Sequence, residues 1–158
     1  MKMDVKRKIG RLNQLRYLKN EVYLLSRRIA RLDDQIEENR RLRWRGRIVM
    51  EYGARLAALR ERLALRRARC MEQLGALYGF IDDIDDSLLR QIMAARYIDA
   101  LTWKEVAAII GERDEQYPRR LHNRFLMRNE LPEAAGGSRK DEAGASGAKG
   151  GAYERTNR

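Results

Sequence analysis

Apolar side chains recur at Leu15, Leu18, Val22, Leu25, Ile29, Leu32 and Ile36, alternately three and four residues apart. That spacing is the a/d seam of a coiled coil. Val5, Ile9 and Leu12 extend it upstream, with a slip of phase between Leu12 and Leu15. The pattern stops at Asn39. A basic stretch follows, Arg40-Arg41-Leu42-Arg43-Trp44-Arg45-Gly46-Arg47. A second seam then runs through Val49, Tyr52, Leu56, Leu59 and Leu63, frays at Arg66, and resumes at Cys70, Leu74 and Leu77. Gly79 is the expected helix stop. Two amphipathic helices joined near Gly46 predict an antiparallel hairpin, each arm about 50–60 Å long at about 1.5 Å per residue. One continuous helix is the alternative, because a lone glycine costs only about 1 kcal/mol. Either way the narrow stripe has to be covered. The expectation is a hairpin, alone or as a homodimer through the coiled coil.

Beyond Gly79 the period changes to that of short helices. Ile84, Leu88, Ile92 and Ala95 predict a helix from about Asp85 to Asp99. Asp82, Asp83, Asp85 and Asp86 stand at its start, where carboxylates suit the helix dipole. Thr102 with Glu105 three residues later is a capping box, so a new helix starts at Trp103. It runs to Ile110, and Gly111 ends it. Asp114 is the expected cap of the last helix, and Pro118 falls in or near its first turn, where a missing N–H is harmless. That helix places Tyr117, Leu121 and Phe125 on one face, with Arg119, Arg120, His122, Asn123 and Arg124 off it. A small residue at Ala107, Gly111 in the turn and an apolar residue in the next helix form the helix-turn-helix pattern. Such a helix fits the major groove, where Arg and Asn bond base edges and other Arg meet phosphates. The layout expected is all-α. A coiled-coil helical hairpin spans 1–79, a helix-turn-helix DNA-binding domain spans 80–131, and a disordered Gly/Ala-rich tail spans 132–158.

Charge changes this picture by its position. The chain of 158 residues has 34 Lys plus Arg against 23 Asp plus Glu, a net +11. Residues 1–80 hold 21 basic and 9 acidic side chains, so the whole excess lies in the first half. Residues 81–115 are acidic, with 4 basic against 9 acidic, and 116–131 are basic, with 4 against 1. A polyanionic partner follows, met non-specifically by the hairpin and selectively by the last helix. Trp44, among Arg43, Arg45 and Arg47, is placed to stack on a base or to lid the hairpin loop. Other chemistry is narrowed by scarcity. Cys70 and His122 are each the sole residue of their type, which excludes intrachain disulfides and multi-His metal sites. No cofactor, metal or catalytic residue is expected. The longest apolar run, Leu74 to Ile81, is too short to cross a bilayer, and no secretory signal opens the chain, so a cytoplasmic protein off the membrane is expected.

One stretch resembles a family. Residues 88–128 look like sigma-70 region 4, above all its phage relatives, the ArpU/RinA-type late transcription regulators. The matching parts are Arg96-Tyr97-Ile98-Asp99, Thr102-Trp103-Lys104-Glu105-Val106-Ala107 and Arg120-Leu121-His122. The resemblance implies binding to double-stranded promoter DNA and contact with RNA polymerase. This chain departs from the family at Ala100, where Gly is usual at a turn position suited to positive φ. It departs also at Glu112, Asp114, Glu115 and Pro118. Nothing before residue 81 resembles sigma region 2, so an activator is expected rather than a sigma factor that melts promoters.

The expected function is a sequence-specific transcription regulator of phage or prophage type. Its candidate DNA contacts are Arg113, Gln116, Arg119, Arg120, Asn123 and Arg124. Tyr97 and Trp103 are expected in the core, and His122 on the surface. The alternatives are a phage small terminase-like packaging subunit, which would assemble as a ring, and a helical scaffold without DNA affinity.

Overall fold

A computed structural model describes residues 4–42 and 46–133. All regular structure within them is helical, without strands. Arg43, Trp44 and Arg45, and the tail from residue 134 onward, lie outside the described residues, so the expectations placed on them stand outside it too.

Two long helices dominate, α1 (Val5–Arg41) and α2 (Arg47–Asp82). They lie side by side in opposite directions. Asn39 Nδ2 donates to the Val49 carbonyl at 3.3 Å, Arg60 meets Asp33 at 2.6 Å, Arg67 donates to Ser26 Oγ at 3.3 Å, and Arg66 meets Glu21 at 3.7 Å. Later positions of α2 meet earlier positions of α1, so the chain folds back near Gly46. Gly53 leaves room there for the Asn39 side chain. A Cβ on it would sit 2.5 Å from Asn39 Nδ2.

The seam of α1 is buried at Leu12, Leu15, Leu18, Leu25, Ile29 and Leu32. The phase slip has a consequence that the apolar pattern hides. Lys8, four residues before Leu12, occupies the buried position at 1% exposure, and Ile9 is only half-buried. On α2 the burial is narrower than the seam. Leu56, Cys70 and Leu77, at multiples of seven, are buried, while Tyr52 and Leu59 are exposed. Gly79 does not stop α2, contrary to the sequence expectation. Its cost of about 1 kcal/mol is outweighed because one further turn carries Ile81 to 0% exposure. Burying such a side chain is worth about 1.5–3 kcal/mol. The helix ends at Asp82, with the Asp83 N–H on the Gly79 carbonyl at 2.9 Å.

The rest is a stack of short helices. α3 (Ser87–Met93) starts at Asp86, whose side chain accepts from the Leu89 N–H at 2.9 Å. It continues as a π-helical turn, Ala94–Ile98. α4 (Trp103–Ile109) and α5 (Gln116–Arg128) follow. These helices close over the open end of the long pair. One core joins Leu12, Leu15 and Leu18 of α1 and Leu77 and Ile81 of α2 to Met93, Tyr97, Leu126 and Leu131. A smaller cluster of Ile92, Ala95 and Val106 lies under α4, with Trp103, Ile110 and Leu121 against it.

No helix among the described residues is long and apolar enough to cross a membrane.

Candidate nucleic-acid interface

The unit that carries the candidate contacts is built by local caps. Thr102 Oγ1 accepts from the Glu105 N–H at 3.3 Å, and Glu105 Oε2 accepts from the Thr102 N–H at 2.7 Å. This is the capping box read from the sequence. The Thr102 N–H, and after it the Thr102 hydroxyl that also donates to Oε2 at 2.8 Å, hold the Glu105 carboxyl below its usual pKa. At the other end, Gly111 sits at φ +80. The Gly111 N–H reaches the Ala108 carbonyl at 3.2 Å and the Glu112 N–H reaches Ala107 at 2.8 Å. These paired bonds form a Schellman stop, which needs a left-handed residue. The turn before α4 is left-handed as well, with Ala100 at φ +58. Alanine holds this left-handed conformation against its Cβ.

The turn into α5 is fixed by Asp114. Its Oδ1 accepts from the Gln116 N–H at 2.9 Å, while its Oδ2 lies 3.6 Å from Arg120. Pro118 is the third residue of α5, inside the first turn, where its absent N–H has no intrahelical partner to lose.

The face of α5 differs from the sequence expectation. The buried residues are Pro118, His122 and Leu126, with Leu121 and Phe125 half-buried beside them. His122 is therefore core at 1% exposure, not a surface group. The pattern Pro118, Leu121, His122, Phe125, Leu126 is a full amphipathic stripe, displaced one position from Tyr117. It becomes legible in the sequence once proline and histidine are allowed to count as core.

His122 is satisfied internally. Its Nδ1 lies 2.9 Å from Asn123 Oδ1 and its Nε2 2.6 Å from the Tyr97 hydroxyl. A carboxamide oxygen only accepts, so Nδ1 carries the proton, and a neutral ring then accepts from the Tyr97 O–H at Nε2. Burial lowers the His122 pKa, opposed by the Asn123 bond and reinforced by the charges of Arg96 and Arg119. Burial likewise raises the Tyr97 pKa. Trp103, half-buried, stands edge-on to the imidazole at 5.0 Å between ring centroids. The guanidiniums of Arg96 and Arg119 lie over its ring at 5.1 and 5.9 Å.

The opposite side of α5 gathers most of the candidate contacts. Gln116, Arg120 and Asn123 recur at four- and three-residue spacing away from the buried stripe, and Arg119 and Arg124 flank them. Gln116, Arg119, Arg120 and Arg124 are exposed and Asn123 is half-buried. Arg113 is exposed in the preceding turn, outside the helix. Three of the six are already engaged: Arg120 with Asp114, Arg119 over Trp103, and Asn123 with His122.

Sequence reasoning missed the group that seats α5. Lys8 Nζ donates to the carbonyls of Leu126 at 2.9 Å and Asn129 at 2.8 Å, and meets Glu130 at 3.1 Å. A buried ammonium thus caps the C-terminus of α5, where carbonyls lack helical partners and the dipole is negative. Beside it, Arg11 donates to the Pro132 carbonyl. The only sequence signal was a lysine at the seam's own spacing, seven residues before Leu15.

No group of three or more His, Cys, Asp or Glu among the described residues is arranged to hold a metal ion. No protein-family model, curated protein or solved structure matches this chain.

Proposed function

We propose that the chain is a DNA-binding transcription regulator of phage type. In this reading α4, the Gly111 turn and α5 form a helix-turn-helix of sigma-70 region 4 kind, and the long pair of helices is a coiled-coil hairpin. The observation that carries the reading is the outward face of α5. Gln116, Arg119, Arg120, Asn123 and Arg124 stand together opposite a buried stripe, on a 13-residue helix seated by Lys8. A helix of that size enters the major groove, its amide and guanidinium groups bonding base edges and phosphates. The hairpin's excess of positive charge adds affinity without selectivity. Partners in this reading are promoter DNA and RNA polymerase.

Asp114 makes the reading specific to this chain. It holds Arg120 and stands where phosphate would come, so it opposes binding. Asp114→Asn keeps the oxygen that accepts from Gln116 and removes the charge. In gel shifts with promoter DNA flanking phage late genes, Asp114→Asn is expected to tighten the complex about two- to fivefold, the worth of one exposed ion pair. Replacing Arg119 and Arg120 by Ala is expected to weaken it and to lower the dependence of log K on log salt by about one unit for each phosphate no longer neutralised. Unchanged binding in the double variant overturns the reading.

A further inference from the structure

The long helices carry large apolar side chains that neither covers for the other. Leu59 is 44% exposed and Leu65 53%, and across from them on α1 Leu24 is 41% exposed. They face a groove of about 970 Å³ that follows the two helices from Tyr17 to Arg28 on α1 and from Leu59 to Gln73 on α2. At about 1.5 Å per residue that is about 16–21 Å, or three to four helical turns. Leu25, Leu63 and Cys70 form its floor. Two antiparallel helices with exposed leucines along one side present the site that a third helix fills.

The rim decides what that helix is. Arg28, Arg62 and Arg69 line the groove and make no hydrogen bond or ion pair among the described residues. Arg66 is held by Glu21, the one carboxylate in the lining. Four guanidiniums therefore face one acid. A second copy of this chain would bring the same face onto itself in a two-fold contact and oppose arginine to arginine. A nucleic-acid backbone would meet the arginines but leave the leucines uncovered. An acidic amphipathic helix answers both features, with leucines on the floor and carboxylates on the rim. We propose that the groove between α1 and α2 docks an acidic amphipathic helix of a partner protein. The proposal does not depend on DNA binding by α5.

The test uses the full chain and fluorescence anisotropy with three labelled probes. One is a 21-residue synthetic helix with leucine at a and d positions and glutamate elsewhere, one is its scramble of equal composition, and one is a 20-base-pair duplex. The ordered peptide is expected to bind at least about tenfold tighter than the scramble. Leu59→Ser with Leu65→Ser, and separately Arg62→Gln with Arg69→Gln, are each expected to weaken it at least about tenfold. Far-UV circular dichroism is expected to stay unchanged, since all four side chains are at the surface. Arg120→Ala is expected to leave the peptide unaffected, which separates this proposal from the reading of α5. Three outcomes overturn it. One is failure of the ordered peptide to bind, or binding equal to the scramble. Another is an arginine pair that weakens the duplex while sparing the peptide, which marks a phosphate surface. The third is a dimer by sedimentation that the leucine pair dissolves, which marks a second copy as the occupant.

Discussion

Along the hairpin, the ion pairs between α1 and α2 lie at the surface, Arg60 with Asp33 and Arg66 with Glu21. Where the short helices meet the base of the hairpin, the polar groups are buried, Lys8 and His122 each at 1% exposure and each fully bonded. The two regions are thus held differently. The long helices rest on apolar positions spread along their length, Leu12 to Leu32 on α1 and Leu56 to Ile81 on α2, so that a lost contact leaves others in place. The short helices add to their apolar core single buried bonds that nothing repeats. Unpaired buried groups cost about 1–3 kcal/mol each, whereas exposed ion pairs contribute about 0–1 kcal/mol.

The largest effect is expected at Lys8. Lys8→Met keeps the unbranched stem and removes the ammonium with its three donors, leaving the Leu126 and Asn129 carbonyls without their partner. The expected loss is about 2–4 kcal/mol in denaturant unfolding. Because Lys8 is the tie between α1 and the end of α5, hydrogen exchange is expected to rise in α5 before it rises in the middle of α1 and α2. A loss below about 1 kcal/mol would erase the contrast between the regions.

Next comes the Tyr97–His122 pair. Tyr97→Phe removes the O–H that donates to Nε2 and is expected to cost about 1–2 kcal/mol. The pH dependence has a definite sign. The folded-state pKa of His122 lies below its unfolded value because the ring is buried. Below the unfolded value of about 6.5 the unfolded chain binds more protons. The contribution of this site is therefore complete above about pH 6.5 and is lost as pH falls toward the lower folded-state value. His122→Leu is expected to flatten that slope between pH 7 and 5, measured as the thermal midpoint in a series of buffers. An unchanged slope would place the dependence elsewhere.

Ala100 sharpens the comparison in the opposite direction. Its φ of +58 costs about 1–2 kcal/mol for a residue with a Cβ. Ala100→Gly relieves this and gives back about 0.4–1 kcal/mol in unfolded-chain entropy. The expected result is a gain of about 1 kcal/mol or less, without a change in the hairpin.

How much of this was legible depends on the reach of each signal. The capping box at Thr102 and Glu105 and the stop at Gly111 were readable, because a cap or turn acts within a few residues. The all-helical architecture was readable from periodicity for the same reason. Gly79 misled because its local cost was outweighed by the burial of Ile81, a tertiary term. His122 misled because polar side chains count against a core face, yet a ring with both nitrogens bonded buries well. Lys8 was invisible because its partners stand 118 and 121 residues away. On the candidate DNA-binding face, the residue types and their spacing were read from the sequence. Their engagement by Asp114, Trp103 and His122 depends on where side chains end, which spacing does not give.

The smallest effect is expected at Glu21, on the hairpin surface. Glu21→Gln removes the charge opposite Arg66 but keeps a side chain of the same shape. Both partners are solvated, at 41% and 68% exposure, and 3.7 Å apart. Water and salt already screen such a pair, and holding two long side chains in one geometry costs rotamer freedom. The expected loss is below about 0.5 kcal/mol, shrinking further in about 0.5 M salt, where the screening length falls to a few ångströms. The seam beneath it, Leu18 and Leu25, is untouched by the change. A loss above about 1 kcal/mol, or one that vanishes only in high salt, would mean that charge rather than the apolar repeat sets the hairpin's stability. The division between a redundant seam and a singly bonded base would then fail on the side where it is expected to be safest.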